Sequence, residues 1–301
     1  LSFDIVLEDL QTAYGQLSRG EQPQLPQKTT SFKQWAERLG LQAGLLGRSD
    51  LADLLELPWA AVAALPVDYP DERCANIEAS AETVAVSLGA EATRALLLQV
   101  PSAYDAQLIE VLLSALAYAL GRWAGSPVLV IEGASHGRAP IFDGVDVSRT
   151  VGWLAVHPLI LLDVRGADTP QMALQSNKAQ LRQIANSGIG QDILRYLSDD
   201  PAIRAQMQAL PEPEVFFSFV GRPSPMSHTL FRQIDEDAGP QHSPSSMRSR
   251  LLECAASIAD EQLQLVWRYS ANVHRRSTIT SLAHSYLAVL QSLIPNSDTE
   301  L

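Results

Sequence analysis

Glu132-Gly133-Ala134-Ser135-His136-Gly137-Arg138 places a carboxylate, a hydroxyl, an imidazole and a guanidinium within seven residues. A second cluster, Asp146-Val147-Ser148-Arg149-Thr150-Val151-Gly152-Trp153, follows at once. A carboxylate at the end of an apolar strand can take or return a proton. Glu132 stands at such a strand end, set against the plainer reading of a polar residue ending a strand. Ser135-His136 suggests a nucleophile and its base, but neighbouring strand residues point to opposite faces and no third group orients the pair. His136 is accordingly expected to make structural hydrogen bonds. Arg138 and Arg149 can brace the loop through carboxylates such as Asp143 and Asp146. Composition alone leaves Trp153 free to be core.

The elements that would position these groups alternate in type. Residues 1–19 read as an amphipathic helix, and Thr30-Ser31 can cap a second one reaching Leu39. Leu51, Leu54, Leu55 and Trp59 anchor an irregular stretch, and the prolines of Leu65–Pro70 keep it extended. Then come a strand at Val84–Leu88, a helix at Ala90–Gln99, a long helix at Tyr104–Trp123, and a buried strand at Val128–Ile131 that ends on Glu132. Leu159–Val164 and Val215–Val220 are further strands. Pro170–Asn186 and Gln191–Leu197 read as two helices, joined by Ser187-Gly188-Ile189-Gly190. Leu251–Ile258 and Gln262–Tyr269 form a hairpin before a closing helix at Thr278–Leu293. The order predicts an α/β fold, an α+β sandwich with a mixed sheet and helices packed on it.

Composition narrows the classes. The 301 residues are 46% hydrophobic and carry a net charge of −12, which argues against nucleic acid as partner. Arg248/Arg250 and Arg275/Arg276 read as solvated surface or small patches for an acidic partner. No apolar run approaches the ~18 residues of a membrane span, and no secretory pattern is visible. Cys74 and Cys254 are too few for a disulfide framework, so two buried, reduced thiols in a cytoplasmic protein are expected. The histidines are scattered and the carboxylates unclustered, giving no metal set. Leu1-Ser2-Phe3-Asp4 enters directly on a helical pattern and reads as cut from something longer.

The two opening clusters resemble the EGHGR and D-x-SRTVGW signatures of epimerization domains, relatives of the condensation domains of non-ribosomal peptide synthetases. The resemblance runs through Leu65-Pro66-Val67-Asp68, Asn76, Val100–Tyr104, Gly188-Ile189-Gly190 with Leu194-Arg195-Tyr196, Phe216–Gly221, Gly239-Pro240, Trp267–Ser270, Asn272 and His274. It implies a chloramphenicol-acetyltransferase-like, CoA-dependent-acyltransferase-like lobe. By the same resemblance, residues 1–75 are a helical segment continuing from an absent N-terminal lobe, and 76–301 are the C-terminal lobe. The family's HHxxxDG motif is absent, and residues 1–10 resemble the stretch that follows it. The implied substrate is an aminoacyl or peptidyl thioester on a peptidyl carrier protein, converted from L to D at Cα. The only cofactor implied is that carrier's phosphopantetheine, and the implied partners are the carrier, adjacent synthetase domains and the N-terminal lobe.

By resemblance Glu132 is the candidate acid/base carboxylate, His136, Arg138, Ser148, Arg149, Trp153, Ser218 and Phe219 line the substrate and pantetheine tunnel, and Arg138 and Arg149 are candidates for the pantetheine phosphate. The match departs from the family in places. Two extra residues separate Glu132 from His136, so Ala134 holds the register position of the carboxylate, and Glu132 sits roughly 7 Å further back unless a bulge absorbs them. Ser218-Phe219 stands where the family has Asn-Tyr, and Gln191 where a tyrosine is usual. A non-catalytic module that binds carriers or recruits a tailoring enzyme is the alternative reading, and a peptide-bond-forming condensation domain a second.

Overall fold

A computed structural model of the chain describes residues 1–46, 48–221, 230–231, 234, 236 and 239–295. The helices are α1 (Ser2–Ser18), α2 (Phe32–Ala43), α3 (Arg48–Leu55), α4 (Ala90–Tyr104), α5 (Leu108–Ala124), α6 (Pro170–Asp192), α7 (Pro201–Gln208) and α8 (Arg276–Ser292). The strands are β1 (Ala81–Leu88), β2 (Val128–Gly133), β3 (Leu159–Asp163), β4 (Val215–Phe219), β5 (Leu252–Ala259) and β6 (Gln262–Ser270). They form one mixed sheet in the order β1-β6-β5-β4-β2-β3. β4 runs parallel to both β2 and β5, and the remaining pairs are antiparallel. This is the α/β sandwich the sequence predicts, with the β5–β6 hairpin turned by Asp260 and Glu261 at positive φ.

One sheet face and the helices above it make the main core. Leu129 and Ile131, Ile160 and Leu162, Val215 and Phe217, and Cys254 and Ala256 all point into it. α5 lies in the middle: every residue from Glu110 to Gly121 is buried, so the helix is covered all round. Its one buried carboxylate, Glu110, accepts from Arg182 Nε of α6 at 3.0 Å. On the opposite face a second cluster lies near β2 and β3, where Val128, Val130, Leu159 and Leu161 meet Leu51, Trp59, Leu194, Ile203 and Met207. The Cys254 thiol is fully buried, and that burial raises its pKa. The side chain of Cys74 lies outside the described residues.

Several helix boundaries differ from expectation, among them α4, which runs past Gln99 to Tyr104, and two have a plain local reason. The long helix begins at Leu108 instead of Tyr104, because Asp105 adopts a left-handed conformation and turns the chain by 94° between α4 and α5. α5 then starts afresh with a capping box in which Gln107 and Glu110 satisfy each other's backbone N–H groups. The expected break at Gly188-Ile189-Gly190 is absent, and α6 continues to Asp192 before a single π turn at Ile193–Leu197. The Gly188 position is one of close approach: a Cβ there would meet Pro158 Cβ and Cγ at 3.3 Å.

α6 also closes the sheet. β3 is an edge strand, whose free backbone groups need partners. Gln191 supplies two, accepting from Leu159 N at 2.9 Å and donating to Leu159 O at 3.2 Å. Asn177 Oδ1 takes Asp163 N at 3.1 Å. Helix and strand are thereby locked in register around the Pro158 contact. A Gly188→Leu substitution should prise them apart, lowering stability by about 1–3 kcal/mol in urea unfolding.

Candidate active site

The fate of Glu132 is decided by strand register. β2 pairs with β3 from Val128↔Asp163 through Glu132↔Leu159, and an isolated bridge joins Ser135 to Val156. All these pairs share one register, so the two extra residues lengthen the hairpin and no bulge absorbs them. On the other side Glu132 pairs with Phe216 of β4. Period-two alternation sends Ile131 into the main core and Glu132 to the opposite face.

There Glu132 faces a cleft of about 240 Å³ lined also by Trp153, Ala155, His157, Leu159, Gln191, Asp192, Arg195, Tyr196, Met207, Glu212 and Arg250. Its side chain is 16% exposed and engages two basic groups. Arg250 Nε donates to Oε2 at 2.7 Å, and His157 Nδ1 stands 3.4 Å from Oε1. Burial pushes the Glu132 carboxyl up, but hydrogen bonding to His157 and Arg250 and the guanidinium charge outweigh it and hold it below its ordinary value. The His157 imidazole moves the other way, raised by its contact with Glu132 against the opposing effect of burial. Asp192 accepts from His157 N at 3.4 Å, and burial raises its carboxyl. Two carboxylates in one cleft are thus driven in opposite directions.

Each of these groups has a structural reason for its place. Arg250 precedes β5 in a segment held by buried Asn76, whose Nδ2 donates to Arg248 O at 3.2 Å and Arg250 O at 3.0 Å. The expectation of a solvated Arg248/Arg250 patch fails here. The Arg248 side chain is fully buried and donates to Glu253 Oε1 at 2.8 Å, while Arg250 turns to Glu132. The π turn after α6 carries Arg195 and Tyr196 to the rim, with Arg195 bonded to Glu212 at 2.7 Å. A π turn interrupting a helix is often found at functional sites.

The motif loop is tied to the N-terminal helices. Arg138 donates to Val147 O at 2.6 Å and to Ser2 Oγ at 3.0 Å. Arg149 pairs with Glu8 at 2.9 Å and with Asp9. Both arginines therefore brace the loop, through a backbone carbonyl and α1 and not through Asp143 or Asp146. Asp146 instead accepts from Ser148 N at 2.8 Å, a hydrogen bond that lowers its carboxyl. His136 is exposed and its Nδ1 accepts from Arg138 N at 2.9 Å. Gly137 has φ +64°, and a Cβ there would lie 1.7 Å from Leu154 O. Only glycine fits this hairpin end.

Trp153 is 78% exposed and overhangs the cleft beside Glu132, so it is not core. Ser218 shares the sheet face of Glu132, two residues beyond Phe216 on β4. Phe219 packs against the main core on the other face, away from the cleft. Sequence reasoning missed His157, Asp192 and Arg250. The first two are isolated polar residues beside apolar strands or helices, with no motif spacing. Only the unexplained proximity of Arg248 and Arg250 offered a signal.

The whole chain, residues 1–301, matches the Condensation domain family model, and the protein belongs to that family. It is 40% identical over its full length to a part of one linear gramicidin synthase of Brevibacillus parabrevis. It is 32% identical over 98% of its length to a part of surfactin synthase subunit 1 of Bacillus subtilis. The chain spans 4% and 8% of these two relatives. Among solved structures, the epimerization domain from the third module of tyrocidine synthetase B superposes with a TM-score of 0.83 at 31% identity, covering 97% of this chain and 66% of that one. The cyclization-docking bidomain of the EpoB synthetase from Sorangium cellulosum shares the fold at TM-score 0.67 and 16% identity, covering 99% of this chain and 58% of that one.

The ion pair predicts a pH signature. A lowered carboxyl stabilises the fold above its unfolded pKa, and that contribution disappears as pH falls through the folded value. A raised imidazole stabilises below its unfolded pKa and is lost as pH rises through the folded value. Both contribute fully between about pH 4.3 and 6.5. Urea unfolding across pH should show wild-type stability exceeding that of Glu132→Gln most within this window, with the difference shrinking on either side.

Proposed function

We propose that this chain is the C-terminal lobe of an epimerization-type domain and that Glu132 is its acid/base group. In this reading residues 1–75 continue from an N-terminal lobe, and 76–301 form the lobe that carries Glu132. The substrate is an aminoacyl or peptidyl thioester, presented on the phosphopantetheine of a carrier protein in the same synthetase. The observation that carries the reading is the Glu132 carboxylate, kept ionised between Arg250 and His157 on a cleft overhung by Trp153.

The chemistry follows from the thioester, whose carbonyl delocalises negative charge on Cα. The carboxylate takes the Cα proton on one face, and an acid on the opposite face returns one. The chain's own residues supply the carboxylate, its ionisation and its aim. Arg138 and Arg149 hold the loop that carries Trp153, and their guanidinium groups are engaged by protein oxygens. They therefore act on the pantetheine arm through loop placement and not as a phosphate fork. The stripe Phe3, Val6, Leu10, Tyr14 and Leu17 on α1 is largely exposed, as suits a helix covered by the rest of its domain.

The unbroken β2–β3 register favours the second reading, a non-catalytic module that docks carriers. It leaves Glu132 two residues back from the place now held by Ala134. A direct test uses the complete synthetase and a carrier loaded with L-alanyl, L-leucyl or L-phenylalanyl thioester in deuterium oxide. Exchange at Cα with D product is expected, and Glu132→Gln should slow it by about 10²–10⁴-fold. Carrier binding without any exchange in the wild type would establish the module reading instead.

A further inference from the structure

The cleft contains an imidazole that the family signatures do not explain. His157 lies between β3 and the motif loop, opposite Ala134 in the register that continues from Glu132↔Leu159 to Ser135↔Val156. The residue is held from several directions. Nδ1 stands 3.4 Å from Glu132 Oε1, the backbone N–H donates to Asp192 Oδ2 at 3.4 Å, and the Phe216 ring packs at a centroid distance of 5.7 Å. Pro158, which follows, is pinned under Gly188 of α6. The side chain remains 39% exposed toward the cleft.

We propose that His157 is the positioning residue of this site: its imidazolium holds the Glu132 carboxylate ionised and aimed into the cleft while a Cα proton is removed, and so fixes the pH range of the reaction. The proposal rests on the reading of Glu132 as the base. Arg250 cannot do this alone. It engages Oε2 and leaves Oε1 to be oriented by whatever stands beside it, which is His157. The charged groups facing the imidazole are Glu132 from β2, Asp192 from the end of α6 and Arg250 from the segment before β5. Arg195 of the π turn and Glu212 before β4 line the same cleft and pair with each other. The two carboxylates favour the imidazolium, and Arg250 opposes it.

In the step itself the Cα–H bond breaks, its electron pair stays on Cα and spreads into the thioester carbonyl, and the proton forms a new O–H bond on Glu132. The imidazolium keeps its own protons throughout. An acid of the opposite face, water or a group from the rest of the domain, returns a proton to Cα; Glu132 then releases its proton to solvent, and that acid takes one back from solvent. Protons and charge therefore balance over one turnover.

Two substitutions separate charge from titration. His157→Gln keeps a donor without charge, and His157→Arg keeps a charge that does not titrate in the accessible range. The readout is Cα exchange in deuterium oxide across pH, using the complete synthetase and the same aminoacyl-carrier thioesters. Wild type is expected to show an acidic limb from Glu132 and an alkaline limb from His157. His157→Gln should move the acidic limb about one pH unit upward, hold exchange roughly tenfold below wild type through the wild-type optimum, and erase the alkaline limb. His157→Arg should leave the acidic limb near wild type and also erase the alkaline one. If both variants keep both limbs while Glu132→Gln abolishes exchange, the role of His157 is refuted and Glu132 stands as the base. If Glu132→Gln exchanges as fast as wild type, the base reading falls and this proposal falls with it.

Discussion

The pleat of β2 governs the site. A strand sends alternate side chains to opposite faces, and pairing on both edges removes any freedom to slip. β2 is held by β3 on one side and β4 on the other, so Ile131 must enter the core and Glu132 must leave it. A one-residue slip would bury the carboxylate among the helices and expose Ile131. The buried apolar partners of Ile131 make that exchange prohibitive, since burying an unpaired carboxylate costs several kcal/mol. The chemistry therefore draws its precision from the hydrophobic core behind it.

Around that strand the protein assembles a mixed set of charges from distant parts of the chain. Arg250 is brought in by Asn76, which holds two backbone carbonyls of the Arg248–Arg250 segment. His157 and Asp192 are brought together by α6, whose Gln191 clamps the edge of β3 and whose Gly188 seats Pro158. Trp153 is held over the cleft by a loop that Arg138 and Arg149 tether to α1. Substitution at Asn76 or Gly188 would move a charged group without touching the cleft.

Much of this was legible in the chain. Val84–Leu88, Val128–Ile131 and the hairpin after Leu251 are apolar or alternating runs, and Ser31 announces the start of α2 by its capping box. The helix boundaries at Asp105 and Gly188 were not legible. Asp105 takes a left-handed conformation that its residue type tolerates without demanding, and Gly188 lies within a continuing helix where Pro158 packs against it. The same holds for the site. Glu132 is announced by its strand and its neighbours His136-Gly137-Arg138, whereas His157, Asp192 and Arg250 become partners only once β3, α6 and the segment before β5 converge. No sequence period links residues separated by the whole sheet.

The proposed mechanism places the Glu132 carboxylate as the group that meets Cα. A structure of the complete domain bearing a non-hydrolysable aminoacyl-pantetheine amide would test it most directly. The predicted result is a Glu132 oxygen within about 3–3.5 Å of Cα, with the thioester-equivalent carbonyl inside the cleft beneath Trp153. An amide seated in the cleft with both Glu132 oxygens well beyond contact with Cα would contradict it.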